Sequence, residues 1–225
     1  FENVLNTLVQ FEFIEKYRFN RFDKVICQSQ DMLNDLNKSN NIKQNKLVVI
    51  NNPVTSGFKT KKSNKTIKPL HFITVARLVK QKGHARLIEV LGKLNFPFHY
   101  TIIGDGPGKN VTNIPFTDQV SKYLENSNVY LQGSFVEGFP NAIIESCMVG
   151  TPVIAFDAPG GINEIIKSDI NGFVVKTEDD FIEQLNNINK SYKFNPEDVS
   201  KTISSRYSEE IIIKKYEDLF INLIK

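Results

Sequence analysis

The pattern of apolar and polar positions changes character near residue 70. Before it, Phe1, Val4, Leu5, Leu8, Phe11, Ile14 and Tyr17 recur at three- and four-residue steps, which predicts an amphipathic helix over residues 1–22. The run DKVICQS (23–29) reads as a short strand, 30–38 as a short helix, and KLVVI (46–50) as a strand that Asn51-Asn52-Pro53 stops. From residue 70 the alternation is regular. Strands are expected at 70–76, 98–104, 128–134, 152–156 and 172–175, with helices at 84–94, 118–127, 140–150, 162–168, 179–192 and 208–225. Strands that are nearly pure apolar runs, separated by helices, predict an α/β fold with a Rossmann-like, doubly wound parallel sheet covered on both faces. Ligands of such sheets sit beyond the carboxyl ends of the strands, so the residues just after each strand carry the functional information.

Composition narrows the class. Of 225 residues, 40% are hydrophobic and 24% charged, which suits a buried core and excludes a disordered chain. The net charge of +3 is too small and too spread out for a nucleic-acid binder. No apolar run approaches the roughly 20 residues of a membrane span. The opening FENVLNTLVQ lacks the order of a secretory leader and does not begin with Met, so a fragment is expected. The two cysteines, Cys27 and Cys147, have no metal or redox spacing and read as reduced thiols of a cytoplasmic protein. His71, His84 and His99 are too dispersed for a helical metal pair, and no Asp-X-Asp is present, so neither a metal nor another cofactor is expected. The segment GFKTKKSNKTIKP (57–69), with five lysines, is the one break in composition. Its plainer reading is a solvated linker; its functional reading is a peripheral contact with an anionic membrane face.

Four post-strand segments carry candidate chemistry. In EGFPNAIIE (137–145), Glu137 lies in a loop, Pro140 suits a first helical turn, and Asn141 and Glu145 share a helix face. Two carboxylates and several free backbone N–H groups suit a polyhydroxylated ligand. The alternative is a helix-dipole carboxylate and a solvent-facing Glu. In ARLVKQKG (76–83), Arg77 and Lys82 flank a loop and form a cation pair suited to a diphosphate, or simply a solvated basic loop. GDGPG (104–108) lacks a following helix, fails as a dinucleotide fingerprint, and reads as a tight turn. In PGGINEII (159–166), Gly160-Gly161 precede a helix and Glu164 stands as a cap partner.

In this order and spacing, VARLVKQKG, IIGDGPG, EGFPNAIIES, GTPVIAFDAPGG, NEII and NGFVV resemble the C-terminal half of a GT-B glycosyltransferase of retaining family 4. The resemblance covers roughly residues 46–225. It implies three parts: a remnant of the N-terminal domain with the hinge (1–53), a nucleotide-sugar-binding domain (54–207), and a helix crossing back to the N-terminal domain (208–225). It implies that Arg77 and Lys82 hold the donor diphosphate and that Glu137 faces the donor sugar. Glu145 then binds the ribose hydroxyls, while Gly138, Phe139, Pro140 and Asn141 offer further donor contacts. Glu137, Arg77 and Lys82 are thereby the catalytic candidates.

The implied reaction is metal-independent transfer of a sugar, with retention, from a UDP- or GDP-sugar to a glycan or lipid-linked acceptor in surface polysaccharide synthesis. The implied partners are that acceptor and the N-terminal domain, in the cytoplasm or at the inner face of the membrane. The sequence departs from the family pattern in a shortened stretch after GDGPG, with Pro115 beside the expected nucleobase position. A nucleotide-sugar-binding subunit of a split enzyme and a non-catalytic paralogue are the alternatives.

Overall fold

A computed structural model describes residues 19, 21–39, 42–55, 57–62, 68–105 and 117–224. Most of the expected N-terminal helix, Gly106 and Gly108 of the glycine turn, and the shortened stretch with Pro115 lie outside the described residues. The first part contains β1 (Val25–Cys27), α1 (Gln30–Ser39) and β2 (Leu47–Val49). The two strands pair in parallel, and Cys27, Ile42 and Leu47 form a small core of their own.

The second part runs β3 (Leu70–Val75), α2 (His84–Gly92), β4 (Phe98–Ile103), α3 (Val120–Glu125), β5 (Val129–Gln132), α4 (Asn141–Met148), β6 (Val153–Phe156), α5 (Ile162–Ile165), β7 (Gly172–Val175), α6 (Glu178–Lys190), α7 (Pro196–Tyr207) and α8 (Glu209–Ile224). The five strands form one parallel sheet in the order β4-β3-β5-β6-β7. Successive residues alternate between two cores. Ile73 and Tyr130 face a layer holding Ile143, Cys147, Val199 and Ile203, while Phe72 and Leu131 face one holding Leu87, Phe181 and Leu185. α4 and α7 therefore cover one face and α2 and α6 the other, as a doubly wound sheet requires. Each fully buried Leu, Ile or Phe in these layers is worth about 1.5–3 kcal/mol. The strand order reverses between β3 and β5, which places a crevice at their carboxyl ends.

The structure corrects two expectations outside the site. Residues 196–207, unassigned in the sequence reading, form α7. Asn195 caps it by accepting from the Glu197 N–H at 2.8 Å, Pro196 occupies the first turn, and Val199, Ile203 and Tyr207 recur every four residues into the core. The lysine-rich segment is not simply solvated. The Lys61 ammonium donates to the Ser127 carbonyl at 3.0 Å and to Thr151 Oγ1 at 2.9 Å, and Lys68 donates to Asn189 Oδ1 at 2.7 Å and to its carbonyl at 2.9 Å. Burial pulls the Lys61 pKa down to about 8, against the raising effect of Glu125. Lys61 and Lys68 strap the segment to the domain.

Candidate functional site

The loop after β3 carries Arg77 and then a single 3-10 turn, Lys80–Lys82, that closes on Gly83. Gly83 has φ 63°, and a Cβ there would collide with the Gly133 carbonyl, so only glycine lets this loop lie against the end of β5. The two loops are tied together. The Phe135 N–H donates to the Gln81 carbonyl at 2.9 Å, and Gln81 Nε2 donates to the Val136 carbonyl at 3.0 Å. Arg86 adds hydrogen bonds from its guanidinium to the Gly133 and Ser134 carbonyls and lies 4.1 and 4.0 Å from the ring centres of Phe135 and Phe156. Burial lowers the Arg86 pKa, with Glu178 opposing. Arg86 sits inside the helical run and was not singled out from the sequence. Its apolar neighbours become visible only once β6 is in place.

This splicing delivers Lys82 to Glu137. The Lys82 ammonium lies 2.7 Å from Glu137 Oε1 and 2.8 Å from Oε2, with 17% and 7% of the two side chains exposed. A two-point, charge-assisted contact with little water around it is stronger than a surface ion pair. Glu137 is held from behind as well. Gln132 Nε2 donates to Glu137 Oε1 at 2.7 Å, and the Glu137 N–H donates to the Pro159 carbonyl at 2.8 Å. Gly160 makes that approach possible: it has φ 109°, and a Cβ would land on the Glu137 carbonyl.

The rest of the 137–145 segment sorts into groups that face the crevice and groups that do not. Phe139 is 6% exposed and packs edge-on against Tyr207 at 5.6 Å, so its ring belongs to the core and only its backbone is left for a ligand. Pro140 is also buried and stands one position ahead of the expected first turn, as the cap of α4. Its carbonyl accepts from the Ile143 N–H at 3.0 Å. The N–H groups of Asn141 and Ala142 open α4 and have no helical carbonyl to meet. Gly138 faces Gln28. The Asn141 side chain is exposed and accepts at Oδ1 from Asn52 Nδ2 at 2.9 Å; Asn52 in turn accepts from Gln28 Nε2 at 3.0 Å. Glu145, one turn along α4, is partly buried, and burial raises its pKa. Burial pushes the buried Tyr130 hydroxyl pKa well up, helped by the negative charge of Glu137 and, less strongly, of Glu145. Arg77, exposed, stands at the end of the neighbouring β3, and its carbonyl accepts from His84 Nε2 at 2.9 Å.

The Gly160-Gly161 loop differs from expectation. Its amides are already taken: both donate to Asp31 Oδ2 at the start of α1, at 3.0 and 3.4 Å. Glu164 does serve as a cap partner, but for α1 rather than its own helix, accepting from the Gln30 N–H at 2.7 Å. The first part of the chain is thus docked on the site loops through a reciprocal carboxylate–amide exchange. A cleft of about 480 Å³ lined by Asp31, Asp35, Lys38, Asp157 and Asn163 opens beside it.

Comparison with known proteins bears on the family and the fold. An uncharacterised glycosyltransferase of Haemophilus influenzae is 30% identical over 209 residues, covering 79% of this chain and 56% of that protein. The amylovoran biosynthesis glycosyltransferase AmsD of Erwinia amylovora is 29% identical over 166 residues, covering 65% and 47%. The chain therefore spans about half the length of the curated relatives it matches. Among solved structures, Anabaena HepE in complex with UDP-glucose superimposes with a TM-score of 0.79 at 18% identity, covering 94% of this chain and 67% of that one, which supports a GT-B fold. Residues 56–203 match the family model described as glycosyl transferases group 1, and the chain belongs to that family.

Proposed function

We propose that this chain is the donor-binding half of a retaining, family 4 glycosyltransferase that uses a UDP- or GDP-sugar. The observation that carries the reading is the Lys82–Glu137 ion pair at the carboxyl ends of β3 and β5, beside the open start of α4 and within the same crevice edge as Arg77. HepE, which holds UDP-glucose, has the same fold, and AmsD is named for polysaccharide biosynthesis. The acceptor is then a glycan or a lipid-linked glycan in surface polysaccharide synthesis. The length of the relatives that this chain does not span is assigned the acceptor side of the cleft. α8 supports a further packing partner: Ile213, Phe220 and Ile221 lie exposed along it.

In this mechanism Arg77 and Lys82 bind the two phosphates, Glu145 accepts from the ribose hydroxyls, and Glu137 accepts from a sugar hydroxyl close to the anomeric carbon. The bond from that carbon to the diphosphate oxygen breaks, and the electron pair leaves with the diphosphate. The cationic pair stabilises the growing negative charge, a job that preorganised charges perform without a metal. The acceptor oxygen bonds to the anomeric carbon on the face the diphosphate has left and gives its proton to a departing phosphate oxygen. Closing the cleft excludes water from the exposed carbon. Calorimetric titration with UDP and with GDP tests the reading. Binding by one of them that weakens in both Arg77→Ala and Lys82→Ala supports it; failure of both nucleotides to bind overturns it.

A further inference from the structure

Gln132 is a polar side chain buried where the strand otherwise buries apolar ones. It ends β5, is 3% exposed, and shares the sheet face of Tyr130. Burying an amide is favourable only when its groups are satisfied, and these are. Nε2 donates to Glu137 Oε1 at 2.7 Å and to Ser134 Oγ at 2.8 Å, and Oε1 accepts from the Tyr130 hydroxyl at 3.0 Å. The same hydroxyl lies 3.1 Å from the Val75 carbonyl at the end of β3, so its single proton is shared between these two acceptors. The Glu137 carboxylate accepts only, so the amide nitrogen must face it and the amide oxygen must face Tyr130. A hydrogen-bonded brace therefore runs from the last residue of β3, through Tyr130 and Gln132, to Glu137.

We infer that Gln132 is a positioning residue that fixes the Glu137 carboxylate when Lys82 turns from it toward the donor diphosphate. This inference rests on the donor-site reading above. Lys82 and Gln132 are the two side-chain donors shown on the Glu137 oxygens. Lys82 is the longer and more exposed of them, and an incoming diphosphate competes for it. Gln132 is locked in the strand and holds Glu137 in place through that exchange. Its effect falls on contacts of Glu137 with the sugar and not on contacts with the nucleotide.

The test is a double-mutant cycle of Gln132→Leu and Glu137→Gln, read by calorimetry with UDP, UDP-glucose, GDP and GDP-mannose. Wild type is expected to bind one sugar nucleotide and its parent nucleotide. Gln132→Leu is expected to weaken the sugar nucleotide about tenfold and to leave the parent within about twofold, and the loss is expected to vanish in the Glu137→Gln background. Equal weakening of both ligands, or a loss that persists without Glu137, overturns the inference and leaves the donor site standing. Wild type that binds none of the four overturns the donor site and the inference together. Should Gln132→Leu fail to fold, Tyr130→Phe removes the hydroxyl that orients the amide, and the same selective loss, smaller in size, is expected.

Discussion

The Lys82 ammonium meets both carboxylate oxygens of Glu137, at 2.7 and 2.8 Å, across a gap of 55 residues in sequence. The contact joins the loop after β3 to the loop after β5, the two sides of the point where the strand order reverses. Removing one partner leaves the other charge poorly hydrated. Lys82→Met is expected to cost about 2–4 kcal/mol in urea unfolding, and the double variant with Glu137→Gln to recover part of that loss. Equal stability of Lys82→Met and wild type in urea contradicts a buried pair.

Arg86 is expected to be intolerant even of lysine. Its guanidinium holds two carbonyls and stacks between Phe135 and Phe156, geometry that an ammonium does not reproduce. Arg86→Lys should lose about 1–2 kcal/mol of stability and Arg86→Ala about 3 kcal/mol, measured by denaturant titration. Because Arg86 grips Gly133 and Ser134, both variants should also loosen the loop that presents Glu137.

Gly160→Ala tests the fit between the Gly160 loop and Glu137. The new Cβ meets the Glu137 carbonyl at a φ that side chains rarely adopt. The expected loss is about 2–4 kcal/mol in thermal unfolding, with weaker nucleotide binding beside it. Gly57→Ala, with open space around it, serves as the control and should change little.

Lys61 makes stability depend on pH in the alkaline range. Its folded pKa is about 8, lowered chiefly by burial, against an ordinary value of 10.5. Between those values the unfolded chain binds more protons, so this group's contribution to stability rises with pH. Wild type should gain roughly 2–3 kcal/mol over Lys61→Met between pH 7.5 and 10.5, measured by urea unfolding at each pH. A difference independent of pH contradicts a buried, readily deprotonated Lys61.

The sheet was legible because strands buried on both faces leave nearly continuous apolar runs such as LHFITV and VIAF, which local pattern detects. α7 was less visible. Its starting signal, Asn195-Pro196, and its four-residue apolar steps are present but diluted by Ser, Thr and Lys. Arg77, Lys82, Glu137 and Glu145 were identifiable as charges placed after strands, and the family resemblance gave them roles. Gln132, Arg86 and Asp31 were not. A lone polar residue in a strand, an arginine inside an amphipathic helix and an aspartate at a helix start each have ordinary local explanations. Their partners, Glu137, Gly133 and Gly160, lie 5, 47 and 129 residues away and are brought close only by the fold.

The proposed donor site requires Lys82 to be shared between Glu137 and the donor diphosphate. A crystal structure of the chain with UDP or GDP, whichever binds, measures this directly. Sharing of Lys82 predicts a phosphate oxygen within about 3.2 Å of Lys82 Nζ and another within reach of the Arg77 guanidinium, with Glu137 still on Gln132. A nucleotide bound away from the ends of β3 and β5, or one that leaves Lys82 wholly engaged with Glu137 and out of reach of phosphate, would contradict it.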